Sequence, residues 1–224
     1  MHYYRFKIFL LVWLVFLSTA CTHLHVDRVP THYKKQAVTD IDDTKYNIQI
    51  IITRGPFYFT HSAIRLRNHK QTLFWDPSGS YGTDEYEDYF KANPLPDDFI
   101  KKEDLITQGV PSLSKYWMFA QFTEDLGMEV FQWNLTEPQA THYQTVFLQG
   151  ATNSENRFDF TTGAAFYLCS STLTRFINRF VSDVIPLGET FFFPDNLAHK
   201  LYTLRPDRIV MFRKGQEPRV FQPD

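Results

Sequence analysis

A thiol, an imidazole and a carboxylate can carry nucleophilic catalysis if a chain brings them together. The thiolate attacks, the imidazole takes and returns a proton near neutral pH, and the carboxylate orients the ring. This sequence offers all three in suitable settings. Cys169 stands in AFYLCSSTLTRF, residues 165–176, after an aromatic-rich run and where the pattern turns helical. Cys169, Leu173, Phe176, Ile177, Phe180 and Val184 fall at offsets of 0, 4, 7, 8, 11 and 15, one face of an α-helix with the cysteine in its first turn. The free N–H groups and the positive dipole end at a helix N-terminus favour thiolate over thiol. A small core cysteine opening an ordinary helix would give the same pattern, so the rest of the chain has to decide.

His61, in FTHSAIRL, begins a strand, and Ala63 on the same face is small enough for a helix to approach closely. Of the other histidines, His69 is in a hairpin turn, His142 in a polar helical stretch, and His199 in a short segment before the last strand. Only His61 lies next to a strand that ends in a carboxylate, Asp76 of TLFWD. Two plainer roles stay open: His61 as an edge residue, and Asp76 as a turn former before Pro77. His23, His25 and His32 sit in a polar run with no carboxylate or cysteine at ligand spacing, which reads as a solvated linker rather than a metal site.

The elements that must position these groups read as α+β without internal repeats. YNIQIIIT (46–53) alternates, and Gly55 and Pro56 break it. SAIRLR (62–67) and TLFWD (72–76), joined by NHKQ, predict an antiparallel hairpin. YWMFAQF (116–122) and MEVFQWN (128–134) flank TEDLG and read as a second hairpin. LTEPQATHYQTVFLQGA predicts a helix with Thr136 as N-cap, Glu137 and Pro138 in the first turn and Gly150 as its stop. RIVMFRK (208–214) reads as the last strand. Residues 84–106 carry Asp84, Glu85, Glu87, Asp88, Asp97, Asp98, Glu103 and Asp104 against Lys91, Lys101 and Lys102, an acidic insertion or solvated face.

The N-terminus is laid out for export. Arg5 and Lys7 precede the apolar run IFLLVWLVFL, and small residues lead to Cys21. Ten apolar residues fall short of the ~20 that a membrane-spanning helix needs. LSTAC resembles the lipobox of bacterial lipoproteins, with Ser18 in the usual apolar slot and Leu17 one place further away. That resemblance implies lipidation of Cys21 and a membrane partner through the attached lipid. With Thr22 rather than Asp after the cysteine, it implies, for a Gram-negative host, the outer membrane, facing the periplasm. Cys169 then has no partner in the chain; without lipid, a Cys21–Cys169 disulfide is the alternative. The expected organisation is a signal peptide over 1–21, a flexible tether over 22–45 and one domain over 46–224. Removal of the signal takes away Arg5 and Lys7 and no acid, leaving 21 basic and 25 acidic residues. This balance points to no nucleic-acid partner. The 22 phenylalanines and 17% aromatic content are an apolar load that a core must bury or a groove must display.

THSAIRL followed by TLFWDPSG, with FYLCSSTLTRF much later in the chain, resembles the circularly permuted papain-fold hydrolases related to NlpC, of the YaeF and YiiX type. In that group, His-Val-(Ala/Gly)-Ile-hydrophobic precedes a strand ending in an acidic residue, and aromatic-Cys-Ser-Glu follows at a helix start. His61 matches the histidine, Asp76 the acid, and Cys169 with Ser170 the Cys-Ser pair. Ser171 stands where the group has Glu, and Asp76 where Glu is more common. The resemblance covers about residues 46–213, apart from the acidic insertion. It implies a permuted papain-like fold, an antiparallel sheet packed on the cysteine-bearing helix. It further implies a cell-envelope thiol hydrolase that cleaves an amide bond of a peptide or glycopeptide and uses no metal or organic cofactor. A weaker likeness to lecithin retinol acyltransferase implies an acyl-lipid hydrolase or transferase as the alternative. A binding lipoprotein without turnover is the third possibility.

Overall fold

The computed structural model describes residues 29–38, 41–42, 45–55, 60–69, 71–77, 81–82, 87–94, 101–102, 105–123, 125–152 and 169–224. The export segment with Cys21, the aromatic run before Cys169 and most of the acidic residues of 84–106 lie outside them. The chain divides into two units, Met1–Thr31 and His32–Asp224. The strands and helices of the described residues belong to the second.

Nine strands build one sheet in the order β1-β9-β8-β7-β2-β3-β4-β6-β5, and every neighbouring pair is antiparallel. They are β1 (Tyr33–Gln36), β2 (Asn47–Arg54), β3 (Thr60–Arg67), β4 (Thr72–Trp75), β5 (Lys101–Lys102), β6 (Leu105–Ile106), β7 (Gly127–Asn134), β8 (Arg208–Arg213) and β9 (Arg219–Pro223). The helices are α1 (Glu87–Ala92), α2 (Leu113–Phe122), α3 (Glu137–Thr152), α4 (Cys169–Phe180) and α5 (Pro194–Thr203). The fold is therefore α+β, with an antiparallel sheet and helices on both of its faces.

β2 sits at the centre because it can be buried on both sides: Ile48, Ile50, Ile51 and Ile52 are all fully buried. The expected hairpin of β3 and β4 is present, with Ile64 opposite Trp75 and Arg65 opposite Phe74. β4 stops at Trp75 for a local reason. Pro77 has no N–H to give a ladder, and it restricts the backbone of the residue before it, Asp76. The edge of β3 from Thr60 to Ala63 is consequently not paired by β4.

Side-chain alternation assigns the helices to faces. Ile64 and Trp75 point to the face covered by α3 and α4, where the Phe176 ring lies 5.3 Å from Trp75 and 4.5 Å from Phe147. Ala63, Phe74 and Val130 point to the opposite face, where Phe74 meets Tyr116 of α2 at 4.7 Å. Tyr81 and Tyr89 continue that aromatic layer against Phe119, at 5.0 and 5.2 Å.

α2 departs from the strand expected at 116–122. The aromatics of YWMFAQF suit a strand, but Leu113, Tyr116, Trp117 and Ala120, all buried along with Phe119, follow helical spacing. Ser112 caps the helix by accepting from the Lys115 N–H at 3.2 Å. Asp42 receives the Leu113 N–H and pairs with Arg65 of β3 at 2.6 Å, which fixes the start of α2 to the sheet. There is accordingly no hairpin around TEDLG.

Other boundaries shift as well. Residues 33–36, read as tether, form the edge strand β1 on β9, and the Tyr33 hydroxyl donates to the Pro206 carbonyl at 2.6 Å. RIVMFRK is the last strand but one, since β9 follows a turn at Gly215, whose φ of 73° suits glycine. Within the acidic stretch, Ile106 pairs with Phe74 and is buried, so that segment contributes to the sheet. α3 has the expected start: Thr136 and Gln139 exchange backbone-to-side-chain bonds as a capping box. It runs past Gly150 to Thr152. α4 ends at Phe180, short of Val184, which lies in the following turn.

Phe176 is the bolt between α4 and the sheet. Phe176→Ala should cost about 3–5 kcal/mol in denaturant unfolding, through a cavity against Trp75 and Phe147. A loss below about 1 kcal/mol, too small for removal of a buried ring, would show that α4 is held mainly by other contacts.

Candidate functional site

His61 and Asp76 meet because the register brings them together. The pairing of Ile64 with Trp75 carries Asp76 to the position across from Ala63, one pleat from His61 on the same face. His61 Nε2 donates to Asp76 Oδ1. Asp76 is almost wholly buried at 1% exposure. Tyr116 of α2 donates its hydroxyl to the same oxygen at 3.4 Å, so the carboxylate is held from two sides. The position of Tyr116 depends in turn on the Asp42 anchor of α2.

Cys169 is the first residue of α4 and is buried, with 8% of its surface exposed. Its sulfur lies within hydrogen-bonding reach of His61 and of Ser62. With Nε2–H committed to Asp76, Nδ1 is the ring nitrogen left for the sulfur. Ser62 offers both its backbone N–H and its hydroxyl. That hydroxyl is buried and makes no hydrogen bond of full geometry, so its contact with the sulfur is a weak one and the backbone N–H and His61 matter more. The unpaired stretch of β3 beyond Trp75 makes room for this approach. The next residue, Ser170, donates its hydroxyl to the Phe192 carbonyl at 2.7 Å and ties the helix start to the segment before α5.

The electrostatics follow from this geometry. Burial alone would push the Cys169 thiol up, but the His61 hydrogen bond and charge, together with the two Ser62 contacts, bring it below its ordinary value. Burial works against a charged His61, yet the attraction and hydrogen bond of Asp76, joined by those of Cys169, hold the imidazole well above its ordinary value. Both shifts favour the thiolate–imidazolium form of the pair over the neutral one. The thiolate is lost as pH falls through the depressed value of Cys169, and the imidazolium as pH rises through the elevated value of His61.

The three residues singled out in the sequence are thus brought together. Cys21 lies outside the described residues. His69 packs its ring at a tilt against Tyr46, while His142 and His199 are exposed on α3 and α5. Among the described residues no cluster of three or more metal-ligating side chains occurs. Ser62, Tyr116 and a second carboxylate near His61, Asp125, do not stand out in the sequence. Ser62 is concealed only by its neighbour's prominence. Tyr116 and Asp125 are hidden when 116–134 is read as a hairpin, and the cap at Ser112 with helical spacing at 113, 116, 117 and 120 is the signal that reveals them.

Comparison of the chain with family models, with curated proteins and with solved structures yields no match.

Replacing His61 by Ala should return Cys169 toward an ordinary thiol. Residue-resolved mass spectrometry of iodoacetamide labelling at neutral pH is expected to show at least about a tenfold slower reaction at Cys169, in line with a pKa increase of one unit or more. An unchanged rate would mean that His61 does not sustain the thiolate.

Proposed function

We propose that this protein is a thiol hydrolase of the bacterial cell envelope that cleaves an amide bond in a peptide or glycopeptide through a Cys169-His61-Asp76 acyl-enzyme mechanism. The observation that carries the reading is the single chain of contacts from buried Asp76 through His61 to a cysteine at a helix N-terminus. The order of these residues along the chain, with the sheet stacked on α4, supports a permuted papain-like fold. The envelope setting rests on the export and lipidation signals that end at Cys21.

The Cys169 thiolate attacks the carbonyl carbon, and the C=O electron pair moves to oxygen. N–H groups at the start of α4 would supply part of the stabilisation of that oxyanion. As the intermediate collapses, the C–N bond breaks and His61 delivers its Nδ1 proton to the leaving nitrogen, leaving a thioester on Cys169. Nδ1 then takes a proton from water, the resulting hydroxide attacks the thioester, and the acid departs as the thiolate is restored. Asp76 keeps the ring in the required tautomer throughout. An amine leaves poorly without a proton, whereas an alkoxide or thiolate needs it less. A His61 that is already protonated when the intermediate forms has that proton to give, which suits an amide substrate.

One observation favours an acyl-lipid substrate as the second reading. Phe192, whose carbonyl holds Ser170 beside the nucleophile, exposes its ring, as does Phe193, at 54% and 61%. Exposed apolar side chains on the segment tied to the start of α4 would suit a long acyl chain.

The test is hydrolysis of peptidoglycan stem peptides and of N-acyl amides, followed by mass spectrometry. The parent should release free amine, and Cys169→Ser should lower turnover by at least about 1000-fold while the domain stays folded. Asp76→Asn should slow single-turnover acylation by roughly 10- to 1000-fold, less than the ~10⁴ of a serine triad because a thiol ionises more readily. Retained turnover in Cys169→Ser would remove the nucleophile from the account.

A further inference from the structure

A second carboxylate, Asp125, interacts electrostatically with His61 and plays no part in the acyl-transfer steps. Thr53 of β2 is the register partner of His61 on β3, so the two side chains share a face and lie side by side. The Asp125 carboxylate accepts a hydrogen bond from the Thr53 side chain, and its own N–H donates to the Ala120 carbonyl at the end of α2. At 9% exposure it is held between α2 and the sheet. Asp76 reaches His61 from β4, and Asp125 bears on it from the β2 side.

We propose that Asp125 is a positioning residue for the same site, a carboxyl whose protonation sets how firmly His61 holds its proton and so tunes the thiolate–imidazolium pair with pH. The inference rests on the assignment of that pair. Burial pushes Asp125 up to about 6, while the Thr53 bond and the His61 charge pull the other way. Below that value Asp125 is neutral and His61 answers to Asp76 and Cys169. Above it a second negative charge favours the imidazolium.

The other groups around these two are accounted for. Tyr116 of α2 feels both Asp76 and Asp125, and its phenol stays protonated well past its ordinary value because it is buried beside them. Arg54, next to Thr53, points to the opposite face and pairs with Glu129 and Asp195; Arg213 pairs with the other oxygen of Glu129. Neither guanidinium therefore neutralises Asp125 directly.

Titration of the His61 ring nitrogens by NMR on the full chain tests this without any substrate. In the parent, His61 should keep its proton well above the ordinary imidazole range, with a smaller inflection near the Asp125 value. In Asp125→Asn the His61 midpoint should fall by about a few tenths of a pH unit, and the inflection should vanish. Thr53→Val keeps the shape of Thr53 but removes the hydroxyl bond, so it should move the inflection to higher pH. It also serves if the Asn variant fails to fold. An ordinary His61 titration in the parent would overturn the ion pair and this inference together. A high parental midpoint unchanged in Asp125→Asn, or an inflection unmoved by Thr53→Val, would overturn this inference alone.

Discussion

The bond from His61 to the buried carboxylate of Asp76 is the interaction on which the site depends. It requires a strand long enough to carry His61 beyond the end of its neighbour, and a neighbour that stops with an acid facing the same side. The eight-residue β3 and the four-residue β4 meet both conditions, and Pro77 makes the shorter strand end where it does. The same early end leaves the β3 edge unpaired, and there the first turn of α4 brings Cys169 against Ser62. A β4 extended by two residues would pair that edge and leave no approach for the sulfur.

Helices on both faces stabilise this arrangement by different means. On one face α4 is fastened by ring contacts of Phe176 with Trp75 and Phe147, and its first turn is tied through Ser170 to the segment before α5. On the other, α2 is fastened at its start by Asp42, shared between the Leu113 N–H and Arg65, and presents Tyr116 to Asp76. The network of Arg54, Glu129, Arg213 and Asp195 secures the start of α5 to β2 and β7. Glu129 is buried and accepts from both guanidiniums, so neither charge is left without a counterion.

The parts of this site legible in the sequence are those encoded locally. A hairpin with apolar alternation, an acid before proline and an apolar face at helical spacing each need only a few consecutive residues, and β3, β4 and α4 follow them closely. Legibility ends where long-range contacts decide. The aromatics of α2 fit a strand as well as the local Ser112 cap fits a helix, and the Asp42 anchor and the opposing Phe74 decide between them. β1 is four residues of YKKQ whose only apolar anchor is Tyr33, and its strand character comes from β9, far along the chain. Asp125 carries no local mark of function, because its neighbour His61 is supplied through the pairing of β2 with β3. The α+β class is legible; the nine-strand order is not, since it depends on which edges the distant segments occupy.

At the centre of the proposed mechanism, His61 and Ser62 favour the Cys169 thiolate against burial and bring the thiol below its ordinary value. Ultraviolet absorbance of the thiolate, taken as the difference between the protein and its Cys169→Ser variant across a pH titration, measures this directly. The Cys169 signal is expected to be already developed at neutral pH, with its midpoint below the ordinary thiol value of about 8.5. A midpoint at or above that value would contradict it and leave Cys169 as a buried core thiol.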